Sequence, residues 1–313
     1  MPSFEPGADV QIKSVLVAFD FSEASHKALS HALAIARHYG AKFYLVHVVA
    51  SIGYTIAGPE SLALSIEKTR RDAQELEQEL LKSGALADLR YEFIVHEGNV
   101  CSEVERITSE KQVDLVVIGT HGRGGLGKFL LGSTAEQVFR HSHSLVMTVG
   151  PASYKDSPVQ KSQTQTLHPF LFATDFGEAS LKALPYAISF ANHFGARLVL
   201  LHVLPAAPIP EGFHWSTAGD LMQMREKAQL ESESRLDELV KRATPRATSK
   251  PECLVRFGIP SDQILLAAHS LSADLIILGL RHTSHIETAS HMPWALAYRV
   301  VCGARCSVLT IRK

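Results

Sequence analysis

The chain has little to cross-link it and little with which to attract a charged partner. Its 313 residues include four cysteines, Cys101, Cys253, Cys302 and Cys306. Only Cys302 and Cys306 are close in sequence, so the pattern is not a disulfide framework and a reducing compartment fits it better. Thirty-one basic side chains against 32 acidic ones leave a formal charge of -1. That balance gives no field for gathering a polyanion, which sets nucleic acid and anionic membranes aside as partners. No apolar run approaches the roughly 20 residues that cross a bilayer. The opening MPSFEPGADVQIKS lacks the basic and apolar regions of a secretory signal, and the expected location is cytoplasmic.

What is present is apolar material for two cores: 46% of the residues are hydrophobic, and the length suits two domains of roughly 150 residues each. The chain also repeats itself. SVLVAFDFSEASHKALSHALAIARHYGAKFYLVHVV, from Ser14, aligns without a gap on PFLFATDFGEASLKALPYAISFANHFGARLVLLHVL, from Pro169. Asp20 falls on Asp175, Gly40 on Gly195, and His47-Val48 on His202-Val203. Further on, VDLVVIGTH matches ADLIILGLR, and SLVMTV matches CSVLTI. The expected organisation is a first domain over 1–150, a polar, proline-containing linker over 151–167, and a second domain over 168–313.

Each copy alternates continuous apolar runs with amphipathic ones. SVLVAFD reads as a strand buried on both faces, and the run after it has Ala28, Leu29, Ala32, Leu33, Ile35 and Ala36 at helical spacing. Ser22 is placed to cap that helix and Gly40 to end it in a left-handed turn. The alternation continues to a fifth strand, so each copy is predicted to be an α/β domain with a five-stranded parallel sheet flanked by helices. Ligands of such sheets sit beyond the carboxyl ends of the strands. The candidate positions are Asp20, after the first strand, and Gly119 onward, after the fourth.

The stretch GTHGRGGLGKFLLGST, residues 119–134, matches two phosphate motifs at once. The dinucleotide fingerprint needs a following strand that ends in an acidic residue, and here SLVMTV ends in Gly150-Pro151. The P-loop needs Ser or Thr after its lysine, and Phe129 follows Lys128. A third pattern fits: Gly119 and Gly122, then nine residues, then Gly132-Ser133-Thr134. Gly119 and Gly122 let backbone approach a ligand, while Gly132-Ser133-Thr134 opens the last helix, whose N–H groups and dipole face outward. Asp20 and Gly132 also have simpler roles open to them as helix caps. Arg123 and Lys128 can pair phosphate charge or be solvated.

With these features the sequence resembles the universal stress protein family, as a tandem pair over nearly the whole chain. The resemblance implies two Rossmann-like domains of the adenine nucleotide alpha hydrolase type, and ATP bound in the first. It places Ala18 and Asp20 at the adenosine end and the Val48 backbone on the adenine. Ile118, Gly119, His121, Gly122 and Arg123 would line the ribose and phosphates, Gly132, Ser133 and Thr134 would grip the phosphate chain, and Mg²⁺ would be carried by the phosphates. It also implies that domains pair through their last strands, giving an internal pseudo-dimer, with a homodimer of chains left open.

The second copy departs from this pattern. His282 stands where the second glycine belongs, and SHMPWALAY replaces the glycine-serine-threonine element. A two-residue insertion puts either Met292 or Trp294 in the place of Gly132, so this half is not expected to bind ATP in the family manner. His282, His285 and His291 lack a strong zinc spacing and read as a polar loop. No water-activating carboxylate or protein-held Mg²⁺ site accompanies the phosphate element. Regulatory ATP binding in a cytoplasmic stress response is therefore expected rather than turnover. No catalytic residue is assigned. Slow ATP hydrolysis or autophosphorylation, with His121 as the nearest base, and a nucleotide-independent scaffold are the alternatives.

Overall fold

In the computed structural model, the apolar run that opens each repeat forms the central strand of a sheet. The structure describes residues 10–50, 59–120, 131–150, 169–205, 218–245, 247–280 and 293–312. From residue 11 onward the chain divides into two compact units, 11–160 and 161–313.

The first unit runs β1 (Ser14–Ala18), α1 (Glu23–Tyr39), β2 (Lys42–Ala50), α2 (Pro59–Lys82), β3 (Tyr91–Gly98), α3 (Val100–Glu110), β4 (Leu115–Gly119), α4 (Ser133–His141) and β5 (Leu145–Val149). Its strands pair in parallel in the order β3-β2-β1-β4-β5. The second unit repeats this with β6 (Phe170–Ala173), α5 (Glu178–Phe194), β7 (Leu198–Leu204), α6 (Ala218–Ala243), β8 (Glu252–Phe257), α7 (Pro260–Ser270), β9 (Leu275–Leu280), α8 (Pro293–Gly303) and β10 (Ser307–Arg312). Its parallel order is β8-β7-β6-β9-β10. Each unit is thus the expected α/β domain. Crossovers run outward from β1 to β3 and then return to β4, so the chain changes direction across the sheet between β1 and β4. That is the topological switch point at which such sheets bind ligands.

Local chemistry explains the element ends. The Ser22 hydroxyl caps α1 by accepting the Ser25 N–H at 3.1 Å, and Gly40 closes the helix at φ 62° with its N–H on the carbonyls of Ala36 and Arg37. The apolar face of α1 is fully buried at Ala28, Ala32 and Ala36, and β1 is buried at Val15, Leu16 and Val17.

His31 lies on that buried face, 3% exposed, with its ring Nδ1–H donating to the Lys27 carbonyl at 2.9 Å. Burial pushes its pKa below the ordinary 6.5, opposed in part by the Lys27 bond. The neutral ring therefore contributes stability that is fully present above pH 6.5 and is lost as the pH falls from there through the lower folded value. A single proton changes stability by at most about 1.4 kcal/mol per pH unit in that window. Thermal melts of the wild type should fall with pH below 6.5, and His31→Leu should flatten that dependence.

Candidate functional site

The carboxyl edge of the first sheet brings the predicted residues of β1, β4 and α4 to one place. Ala18, the last residue of β1, lies between Val46 of β2 and Ile118 of β4 in register. The Phe19 N–H still reaches the Val46 carbonyl at 2.8 Å, so Asp20 is the first residue clear of the sheet. Asp20 Oδ1 accepts the Ser22 N–H at 3.0 Å, which gives this carboxylate the turn-holding role that the sequence left open. A carboxylate has about four acceptor sites, so that bond does not exhaust it. Val48 lies two residues beyond Val46 on β2, beside His96 of β3.

Across the switch point, Thr120 fixes how the chain leaves β4. Its N–H and hydroxyl both donate to the Val149 carbonyl, at 3.1 and 3.2 Å, and its own carbonyl accepts the Gly132 N–H at 2.8 Å. The segment that departs at Thr120 therefore returns at Gly132 within one hydrogen bond. His121, Gly122, Arg123 and Lys128 belong to that segment and lie outside the described residues.

Gly132 is the N-cap of α4, with φ -59° and ψ 148° and no side-chain cap. Its carbonyl accepts the Glu136 N–H at 2.8 Å and closes the first turn. The first-turn N–H groups of Ser133 and Thr134 have no earlier turn to bond to, and they lie at the positive end of the helix dipole. The one acidic side chain of that turn, Glu136, is paired with Arg140 at 2.6 Å. Ser133 is exposed, and Thr134 hydrogen-bonds the thiol of Cys101 at the start of α3. Such a helix end is suited to an anion.

The structure gives Gly119 a reason that sequence reading missed. A Cβ built there would meet the Cβ of Ala24 at 2.8 Å and its backbone carbon at 2.9 Å. The space is filled by α1, so this glycine serves helix-on-strand packing. Gly279 is the same position in the second unit, where a Cβ would come within 2.3 Å of the Ala179 carbonyl oxygen. The glycine therefore persists in a half whose phosphate element is gone. His47 was matched to His202 by the repeat but given no task. Both rings bond the turn that follows the central strand.

The last helix of the second unit bears on its phosphate element. Gly119 precedes Ser133 by the same interval that separates Gly279 from Pro293, the first described residue of α8. Counted without a gap from Gly279, Met292 falls at the place of Gly132; with the insertion drawn before the helix, Trp294 does. Pro293, the first described residue of α8, has no N–H to offer. Met292 and the histidines 282, 285 and 291 lie outside the described residues. Among the described residues no three metal-ligating side chains cluster. Burial pushes the Cys306 thiol up to about 12, which makes it a poor redox partner for Cys302. No described helix is long and apolar enough to cross a membrane.

The same architecture is found in solved structures. A universal stress protein from Archaeoglobus fulgidus superposes over 97% of both chains with a TM-score of 0.65 at 20% identity. A functionally unknown protein from Pseudomonas aeruginosa superposes over 96% of this chain and 92% of its own, with a TM-score of 0.67 at 14% identity. At the sequence level, one universal stress protein of Methanocaldococcus jannaschii is 31% identical over 140 residues, 44% of this chain and 81% of its own length. A second from the same organism is 27% identical over 155 residues, 45% of this chain and 96% of its own. The model of the universal stress protein family matches residues 11–150 and again 166–312, and the chain belongs to that family as a tandem of two of its domains.

Proposed function

We propose that the first half binds ATP as a regulatory ligand in a cytoplasmic stress response, and that the second half is retained as its partner in an internal pseudo-dimer. In this reading the domains are 1–150 and 168–313, with 151–167 as linker. Ala18, Asp20 and the Val48 backbone take the adenosine end; Ile118, Gly119, His121, Gly122 and Arg123 line the ribose and phosphates. Gly132, Ser133 and Thr134 hold the phosphate chain, and Mg²⁺ travels with the phosphates.

The observation that carries the reading is the start of α4. Gly132 caps the helix without a side chain, and its N–H is tied to Thr120 at the end of β4. Donors for an anion therefore stand at the same switch point as the carboxylate of Asp20. In the second half the described part of α8 opens on Pro293, which has no N–H to offer an anion.

Calorimetric titration with ATP should give one site per chain. Two equal sites would remove the asymmetry, and no heat at any concentration would overturn the reading. Phosphate release above background, lost in His121→Ala, would replace regulation by turnover.

A further inference from the structure

The turn that carries Asp20 is held from both sides by one side chain. His47, on β2, is 6% exposed, and its Nδ1 lies 2.6 Å from the carbonyl oxygen of Phe19. A carbonyl only accepts, so Nδ1 carries the proton and donates it. The ring of Phe21 meets the same imidazole edge-on at a centroid distance of 5.0 Å. Asp20 is the residue between these two contacts.

Phe21 is also where the backbone is strained, at φ 62° in the left-handed region that a bulky side chain rarely enters. Strain of this kind persists only where the surroundings enforce it. Here they include the carbonyl bond before Asp20 and the ring contact after it, both made by His47.

The second half keeps the whole device. His202 Nδ1 lies 2.8 Å from the Thr174 carbonyl, Phe176 has φ 59°, and the two rings are 4.4 Å apart. Asp175 lies between the two contacts, as Asp20 does. The same device therefore occurs once beside a phosphate element and once without it.

We infer that His47 is the positioning residue for the nucleotide site: by holding the Phe19 carbonyl and the Phe21 ring, it fixes where the Asp20 carboxylate meets the ligand. The inference rests on the ATP reading above. His202 does the same work for Asp175, but with no nucleotide to position, so its contribution is to folding alone.

The test compares His47→Phe, His47→Asn and His202→Phe in the full chain, reading ATP affinity by calorimetry and thermal midpoint without ligand. The two phenylalanine variants should lower the midpoint by similar amounts. Only His47→Phe should weaken ATP binding, by about tenfold, the worth of one well-placed bond to a charged centre. His47→Asn puts an amide nitrogen where Nδ1 was and should restore most of that affinity. In an Asp20→Asn background the further effect of His47→Phe should vanish, because His47 acts through that carboxylate. If His47→Phe does not fold, His47→Gln, with its donor one methylene further out, carries the same comparison.

Unchanged affinity in a folded His47→Phe variant, or in His47→Gln where the phenylalanine variant does not fold, overturns the inference and leaves ATP binding intact. A loss that persists undiminished in the Asp20→Asn background does the same. A wild-type chain that binds no ATP overturns both.

Discussion

Replacing Gly132 by tryptophan should abolish ATP binding and leave the fold in place. The backbone at Gly132, φ -59° and ψ 148°, is one that any L-residue adopts without strain. The bonds that anchor it, N–H to the Thr120 carbonyl and carbonyl from the Glu136 N–H, are made by main-chain atoms and survive a change of side chain. What the substitution alters is the space in front of the first turn of α4, where a phosphate must approach the N–H groups of Ser133 and Thr134. The expected loss in affinity is at least about 100-fold, or about 2.7 kcal/mol. The thermal midpoint without ligand should move by no more than an N-cap is worth, about 1 kcal/mol. Calorimetry and a melt on the same preparation check both halves of this expectation. A variant that binds as tightly as wild type would remove α4 from the site.

Gly119→Ala and Gly279→Ala should act on the fold. At Gly119 the added methyl meets Ala24 at 2.8 Å, and at Gly279 it meets the Ala179 carbonyl oxygen at 2.3 Å and backbone carbon at 2.6 Å. Real Cβ atoms do not approach backbone so closely, and the obstacle is a helix, not a flexible side-chain tip. The helix has to move off the sheet, an overpacking cost of about 3 kcal/mol. Gly279→Ala should be the more damaging, since its closest contacts are all main-chain atoms. Denaturant unfolding of the two variants would show it. Gly279→Ala should leave ATP binding to the folded fraction untouched, because its half holds no nucleotide in the proposed reading. Equal stability of Gly279→Ala and wild type would mean that α5 lies further from β9 than it does here.

The two glycines show what was legible in the sequence and what was not. The alternation of apolar runs and amphipathic helices, the repeat, the Ser22 cap and the Gly40 turn are local signals, and each appears in the structure where its spacing put it. The reason for Gly119 is not local. It depends on how closely α1 crosses β4, a distance that no periodicity records, whereas motif spacing speaks only of a ligand. His47 was hidden for a similar reason: its partners, Phe19 and Phe21, are 28 and 26 positions earlier, and only strand register brings them together. The ambiguity between Met292 and Trp294 arose because an alignment gap can slide. Either placement leaves Pro293, where the described part of α8 begins, without an N–H. That proline was visible from the beginning, and its meaning as a missing donor needed only the knowledge that it belongs to a helix.

Pro293 also bears on whether the second half could acquire the site proposed for the first. Met292→Gly would restore a glycine and nothing more. Pro293→Ser would restore an N–H and nothing more. His282 would continue to stand in the place of a glycine under either change. In the proposed reading the second domain therefore needs several changes together before it could hold a nucleotide, and its carboxyl edge is free to serve another purpose.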